Sequence, residues 1–205
     1  MSKTKIAIQG ELGAYSHIAA ESLYKEAEIK TCATFEETFK CAYNDQNFKI
    51  VIPIENSLAG RVADIHYLLP KYKLQIHGEH FQAVEHNLLC KREANIDDIK
   101  FVRSHAQAIG QCQNMINKRK FKPIISADTA GSAKDLAEGE DKSIAAIASE
   151  LSAKIYNLKI LEKNIEDEKG NVTRFLIMGK NIEQPEFSKN KKFITSCIFR
   201  VKSEP

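Results

Sequence analysis

The chain has no cysteine pair at metal or redox spacing. Its five cysteines (Cys32, Cys41, Cys90, Cys112 and Cys197) are odd in number and widely separated, so no C-x-x-C zinc or redox motif is present. Long apolar runs are also missing: none reaches the ~20 residues that span a bilayer, and Met1 to Lys5 leads straight into Ile6-Ala7-Ile8 with no signal-peptide core before it. Charge of one sign is scarce. The net charge is +3 and the Lys and Arg residues are scattered, which leaves no stripe for nucleic acid or membrane. Internal repeats and low-complexity tracts are absent as well. These absences predict a reduced, cytoplasmic protein without a nucleic-acid or membrane partner.

What remains is ordinary globular material: 205 residues, 43% hydrophobic and 28% charged, enough for one large domain or two lobes. A slight positive balance suits a small anionic ligand. Lys5 to Gln9 reads as a first strand, and a helix follows from near Ser16, whose hydroxyl could cap it. Thr34-Phe35-Glu36-Glu37 fits a capping box ahead of Phe35, Phe39 and Ala42 at helical spacing. Lys49 to Ile52 is the next strand, ending at Pro53, and a helix from Val62 to Leu69 should stop at Pro70. Two extended stretches flank Gly78 between Leu74 and Cys90.

Beyond them come a short strand at Phe101-Val102, a helix from Gln107 to Lys118 and a strand from Pro123 to Ser126. Asp128 caps a helix to Glu138, Ser143 to Ala148 is a strand, and Ser149 opens a helix to Tyr156. Strands alternating with helices predict an α/β architecture with largely parallel sheets. Residues 181–192 read as a polar linker with Pro185, and Phe193 to Val201 as one more strand.

Four loop clusters fall where strands end and helices begin, the edge of an open α/β sheet where ligands bind. Gly10-Glu11-Leu12-Gly13-Ala14-Tyr15-Ser16 is glycine-rich but does not match G-x-G-x-x-G, and taken alone a plain turn with a helix cap explains it better than a ligand loop. Pro53-Ile54-Glu55-Asn56-Ser57-Leu58-Ala59-Gly60 supplies an acceptor, an amide and a hydroxyl directly after a buried strand, more than a cap requires. Ser104-His105-Ala106-Gln107 lies at another junction, with Ser104 as a cap or His105 as a functional group. Asp128-Thr129-Ala130-Gly131-Ser132-Ala133 fits a ligand loop and a capped helix with small residues for close packing equally well. His77, His80 and His86 crowd one region without H-E-x-x-H spacing, so no metal site is expected.

A late stretch, Asn171-Val172-Thr173-Arg174-Phe175, opens an apolar strand that runs to Gly179. Thr173 and Arg174 either face solvent at the strand mouth or form a hydroxyl donor beside a carboxylate clamp.

Taken in order, Gly-x-x-Gly-x-Tyr-Ser, Pro-Ile-Glu-Asn-Ser-x-x-Gly, Ser-His-x-Gln-Ala, Asp-Thr-Ala and Asn-x-Thr-Arg-Phe resemble the prephenate dehydratase family. The resemblance runs from about Lys5 to Gly179. Glu11, Ala14-Tyr15 and Ala106 depart from the usual Pro, Thr-Phe and Pro, changes of loop stiffness that remove no polar group.

The resemblance implies two α/β lobes with a central cleft, like type II periplasmic binding proteins. Lobe 1 would hold residues 1–76 plus 166–180 and lobe 2 residues 77–165, with 193–205 as the start of a truncated ACT domain. It implies decarboxylating dehydration of prephenate to phenylpyruvate, without cofactor or metal, by a homodimer or homotetramer. With only one ACT strand, phenylalanine regulation is expected to be absent.

By resemblance Thr173 sits at the leaving hydroxyl, with Ser57, Glu55 and His105 completing the catalytic set. Arg174 takes a carboxylate, and Asn56, Ser16, Tyr15, Ser104, Gln107, Phe175 and Asn171 position the substrate. Arogenate dehydratase is the nearest alternative, and a non-catalytic small-anion binder the alternative from another class.

Overall fold

In the computed structural model, residues 3–180 are described, together with 186, 188–190, 192 and 197. The linker expected at 181–192 and the ACT strand expected at 193–205 lie outside the described residues apart from those few positions.

The first lobe is built on β1 (Lys5–Gln9), whose three central residues are fully buried. It is followed by α1 (Tyr15–Leu23), β2 (Glu28–Cys32), α2 (Phe35–Asn44), β3 (Phe48–Asn56), β4 (Gly60–Arg61), α3 (Ala63–Tyr72) and β5 (Gln75–Ala83). The second lobe holds β6 (Asn87–Cys90), β7 (Phe101–His105), α4 (Ala106–Gly110), α5 (Gln113–Arg119) and β8 (Lys122–Ser126). It continues with α6 (Thr129–Glu138), β9 (Ile144–Ala148), α7 (Glu150–Ile155) and β10 (Lys159–Glu162). The chain then returns to the first lobe as β11 (Val172–Gly179).

Each lobe has its own sheet, in the orders β2-β1-β3-β11-β5, with β4 on β3, and β10-β6-β9-β7-β8. In the first, β1 pairs parallel with β2 and β3, while β11 runs antiparallel between β3 and β5. That reversal brings the start of β11 to the same edge as the ends of β1 and β3.

Alternation along β11 sends Phe175 and Ile177 to the layer under α1, with Ile6, Ile8 and Val51. Leu176 and Met178 go to the layer under α2 and α3, with Ile50, Ile52 and Phe39. Such fully buried aliphatic side chains contribute about 1.5–3 kcal/mol each.

Several expectations give way to packing. β3 runs through Pro53 to Asn56, because its ladder with β11 shifts register there, with Glu55 opposite Arg174 but Pro53 opposite Phe175. A residue without an N–H is tolerated at such a bulge. Pro70 lies inside the last turn of α3, flanked by the buried Leu68 and Tyr72, and the helix closes only at Lys73 in a left-handed conformation. Ser16 caps nothing: α1 already begins at Tyr15, and the Ser16 hydroxyl donates to the Gln9 carbonyl at 3.2 Å. The cap at Thr34 is present, accepting from the Glu37 N–H, but Glu37 reaches back to the Ala33 N–H rather than completing a box. The long helix expected from Gln107 breaks into α4 and α5.

The crossing expected at residue 77 lies later. All of β5 pairs with β11, so the chain leaves the first sheet only after Ala83. Outgoing and returning crossings are bonded to one another by Val84 N–H to Asn171 O and Ile165 N–H to His86 O, both 2.9 Å.

A further tie joins the lobes. The Gly13 carbonyl accepts from the Ser149 hydroxyl at 2.6 Å and the Ser152 hydroxyl at 3.0 Å, both buried on the second lobe. Tyr156 donates to the Leu12 carbonyl, and Lys134 pairs with Glu11. Gly13 has a φ of +90°, and a methyl group there would meet the Ser152 hydroxyl and stand 2.7 Å from the Ser152 Cα.

Gly13→Ala should therefore lower the unfolding free energy by more than about 1 kcal/mol. Gly60→Ala should cost less, since its φ of +79° imposes similar strain but nothing lies within 4 Å of an added methyl. Urea denaturation of both variants reads the difference, and equal losses would mean that the Ser152 contact yields freely.

Candidate active site

A cavity of about 490 Å³ lies between the lobes. The ends of β1, β3, β7 and β8 and the start of β11 converge on it, as expected for the carboxyl edge of parallel strands. Gln9, Gly10, Tyr15, Ser16 and Asn56 line it from the first lobe, His105, Gln107, Gln111 and Asp128 from the second, and Asn171, Thr173 and Phe175 from the returning segment.

Asn56 sets the polarity of the centre. Its side-chain oxygen accepts from the Leu58 N–H at 3.0 Å and the Ala59 N–H at 2.9 Å. The amide therefore cannot be reversed, and its nitrogen donates to Asn171 Oδ1 at 2.6 Å and to Thr173 Oγ1 at 2.9 Å. Thr173, 8% exposed, accepts that bond and keeps its own hydrogen for the cavity. The orientation propagates: Asn171 Nδ2 donates to Gln111 Oε1 at 3.0 Å, so His86 Nε2, 2.9 Å from the same oxygen, must carry a hydrogen.

At the far end the Tyr15 hydroxyl donates to the Glu85 carbonyl at 2.6 Å and lies 3.2 Å from His86 Nδ1. Burial lowers the His86 pKa, opposed by the Gln111 hydrogen bond and the charge of Glu166. Burial also pushes the Tyr15 phenol well above its usual value, reinforced by Glu166. Both groups are thus held neutral in a polar but uncharged wall.

His105 stands at the head of α4 and its Nδ1 accepts from the Gln107 N–H at 3.3 Å. In the neutral ring this leaves Nε2–H as the hydrogen it can offer.

Eight of the twelve site residues named from the sequence line the cavity: Thr173, His105, Asn56, Ser16, Tyr15, Gln107, Phe175 and Asn171. The other four do not, and each has a physical reason. Ser104 is fully buried and donates to the Ile147 carbonyl at 2.7 Å, tying β7 to β9. Ser57 accepts from the Val172 N–H at 3.0 Å and so fixes the entry of β11.

Arg174 faces away because side chains alternate along β11: Thr173 and Phe175 turn to the cavity, and Arg174 turns to the opposite face. There Glu55 holds its guanidinium at 3.2 Å and Glu79 at 2.7 Å. The hydrogen bond it donates to Glu55 and, behind burial's opposing effect, the one to Glu79 raise its pKa. The expected carboxylate clamp is an internal ion triad, which also removes Glu55 from the cavity.

Sequence reasoning passed over Gln111, His86 and Arg61. Gln111 follows Gln107 by four residues, a spacing that puts both on one side of a helical turn. His86 was grouped with strand histidines, yet it lies in the crossing between lobes. Among the described residues no cluster of three or more His, Cys, Asp or Glu is placed to hold a metal ion. No helix among them is long and apolar enough to cross a membrane.

The chain matches the family model described as prephenate dehydratase over residues 6–183. It is 40% identical to arogenate dehydratase/prephenate dehydratase 2 of Arabidopsis thaliana, with all of this chain and 53% of that protein aligned. It is 37% identical to the prephenate dehydratase of Methanocaldococcus jannaschii, over 94% of this chain and 70% of that one. Among solved structures, GqqA, described as a novel type of quorum-quenching acylase, superposes with a TM-score of 0.81 at 38% identity. That superposition covers 88% of this chain and 65% of the other. The chain spans about half the length of several of the curated relatives it matches, 51–53%.

Arg174→Met should lower stability by about 1 kcal/mol, because Glu55 and Glu79 would be left without their shared cation at a partly buried site. A urea midpoint unchanged from wild type would show that the triad contributes nothing net.

Proposed function

The chain belongs to the prephenate dehydratase family, and from that premise we propose that it converts prephenate to phenylpyruvate, with Thr173 at the departing hydroxyl. In this reaction the bond from the ring to its carboxylate breaks, and that electron pair enters the ring as carbon dioxide leaves. The ring C–O bond breaks at the opposite carbon, and the departing hydroxide takes a proton to become water. Aromatisation drives the step. The protein must hold a dianion, exclude water and place a donor at the leaving oxygen.

The observation that carries this reading is the Thr173 hydroxyl. It lines the cavity, accepts from the fixed Asn56 amide, and has a free hydrogen to donate. A threonine hydroxyl is too weak an acid to surrender its proton unaided, so it acts as a hydrogen-bond donor that tightens as negative charge builds on the leaving oxygen. Asn56 and Asn171 hold it in that orientation. His105, with Nε2–H left over from its capping bond, offers a second donor from the opposite lobe, and Phe175, 2% exposed, closes the floor.

Arogenate carries an ammonium where prephenate has a keto oxygen and presents the same leaving hydroxyl. Relative turnover of the two substrates separates the activities.

Incubation with prephenate, followed by the alkaline absorbance of phenylpyruvate, tests the reading directly. Thr173→Val, which keeps the shape and deletes the hydroxyl, should lower kcat by about 10²- to 10⁴-fold. Thr173→Ser should recover most of that loss. Turnover by Thr173→Val near the wild-type rate would remove the hydroxyl from the chemistry.

A further inference from the structure

Prephenate brings two carboxylates into the cleft, and carboxylates leaving water need compensating charge or strong donors. Arg174 does not supply that charge, since Glu55 and Glu79 occupy its guanidinium on the far face of the sheet. Among the cavity-lining residues there is one arginine and no lysine, and the arginine is Arg61. It is the second residue of β4, directly after Gly60, which sits opposite Asn56 in the ladder. The cation is thus carried by the same short arm that meets the residue orienting Thr173.

Arg61 is also uncommitted. Among the described residues it pairs with no carboxylate. Its ladder neighbour Glu55 bonds to Arg174 instead. The one carboxylate lining the cavity, Asp128, spends an oxygen on the Gly131 N–H at the head of α6, 2.6 Å away.

We propose that Arg61 is the carboxylate anchor of the cleft and holds the side-chain carboxylate of prephenate, the one that survives into phenylpyruvate. The inference rests on the reading above and assigns it a specificity residue. The choice between the two carboxylates follows from differential binding. A guanidinium on the ring carboxylate would stabilise charge that vanishes as carbon dioxide forms, strengthening the ground state over the transition state. The side-chain carboxylate keeps its charge throughout, so a bidentate arginine there anchors without slowing the chemistry. Arogenate places an ammonium beside that same carboxylate, so Arg61 favours prephenate.

Two measurements test this separately from the reading it rests on: steady-state kinetics on prephenate, and calorimetric binding of phenylpyruvate. Arg61→Gln should raise KM for prephenate and weaken phenylpyruvate binding by roughly tenfold to a hundredfold, with kcat falling less than KM rises. Arg61→Lys should restore part of the binding, and Arg61→Gln should narrow the preference for prephenate over arogenate. Arg61 is exposed, so both variants should unfold at the wild-type midpoint. A wild type active on prephenate, with Arg61→Gln unchanged in KM and in phenylpyruvate affinity, would overturn the anchor and leave the reaction standing. A wild type inert toward prephenate that binds phenylpyruvate through Arg61 would overturn the reaction and keep the anchor. Failure of the wild type in both assays would overturn both.

Discussion

The Asn56 side chain is the interaction on which the site depends. Two backbone N–H groups, of Leu58 and Ala59, take its oxygen, and this one-sided pairing decides the direction of every hydrogen bond beyond it. Thr173 is made an acceptor on its inner side and a donor toward the cavity. Asn171, Gln111 and His86 fall into a single arrangement that crosses from the first lobe to the second. An amide free to rotate could present Thr173 with an oxygen, and the hydroxyl hydrogen would then turn inward. The turn after β3 thus fixes the orientation of a hydroxyl more than a hundred positions later in the chain.

That control needs the lobes held in register. The network spans them, and a hydrogen bond loses most of its strength when its distance or angle drifts. Paired crossings at Val84–Asn171 and Ile165–His86 fix one side. The Gly13 carbonyl, bonded by the two buried serines of the second lobe, fixes another. The glycine-rich first loop therefore serves less as a ligand cradle than as a docking surface. The second of its two left-handed glycines, Gly13, is demanded by the close approach of Ser152 rather than by a phosphate.

Much of this was legible in the residues. Alternating strands and helices announced the α/β architecture, the family resemblance its two lobes, and the loop clusters at strand ends marked the cleft. The largely parallel sheets expected are instead mixed, with five of the nine strand pairings antiparallel. The polar triplet Glu55-Asn56-Ser57 stood out directly after a buried strand, though only Asn56 of the three lines the cavity and the other two hold β11 in place. What stayed hidden depended on partners distant in sequence. Glu28–Cys32 and Lys159–Glu162 lack apolar alternation because they form sheet edges, where only one neighbour enforces the pattern. Pro53 and Pro70 carry strong local stop signals that tertiary packing overrides. Arg174 was misread because adjacency in sequence suggests a shared target, whereas a strand sends neighbours to opposite faces. Arg61 directly follows the motif already singled out, but its lack of a carboxylate partner among the described residues is a property of the fold alone.

A cleft lined by amides, hydroxyls and imidazoles, with a single guanidinium and a single carboxylate, suits the proposed reaction, which destroys charge at one end of its substrate and creates it at the other. Neutral donors such as Gln107 and Thr173 would replace water around the proposed dianion without fixing either carboxylate in its ionised form. A second cation on the ring carboxylate would bind the ground state more tightly and return none of that energy at the transition state. Sequestering Arg174 between Glu55 and Glu79 keeps that second cation, carried by the residue next to Thr173, out of the cavity. For this chemistry, the ion triad on the far face of β11 matters as much for the charge it withholds from the cavity as for the stability it adds to the sheet.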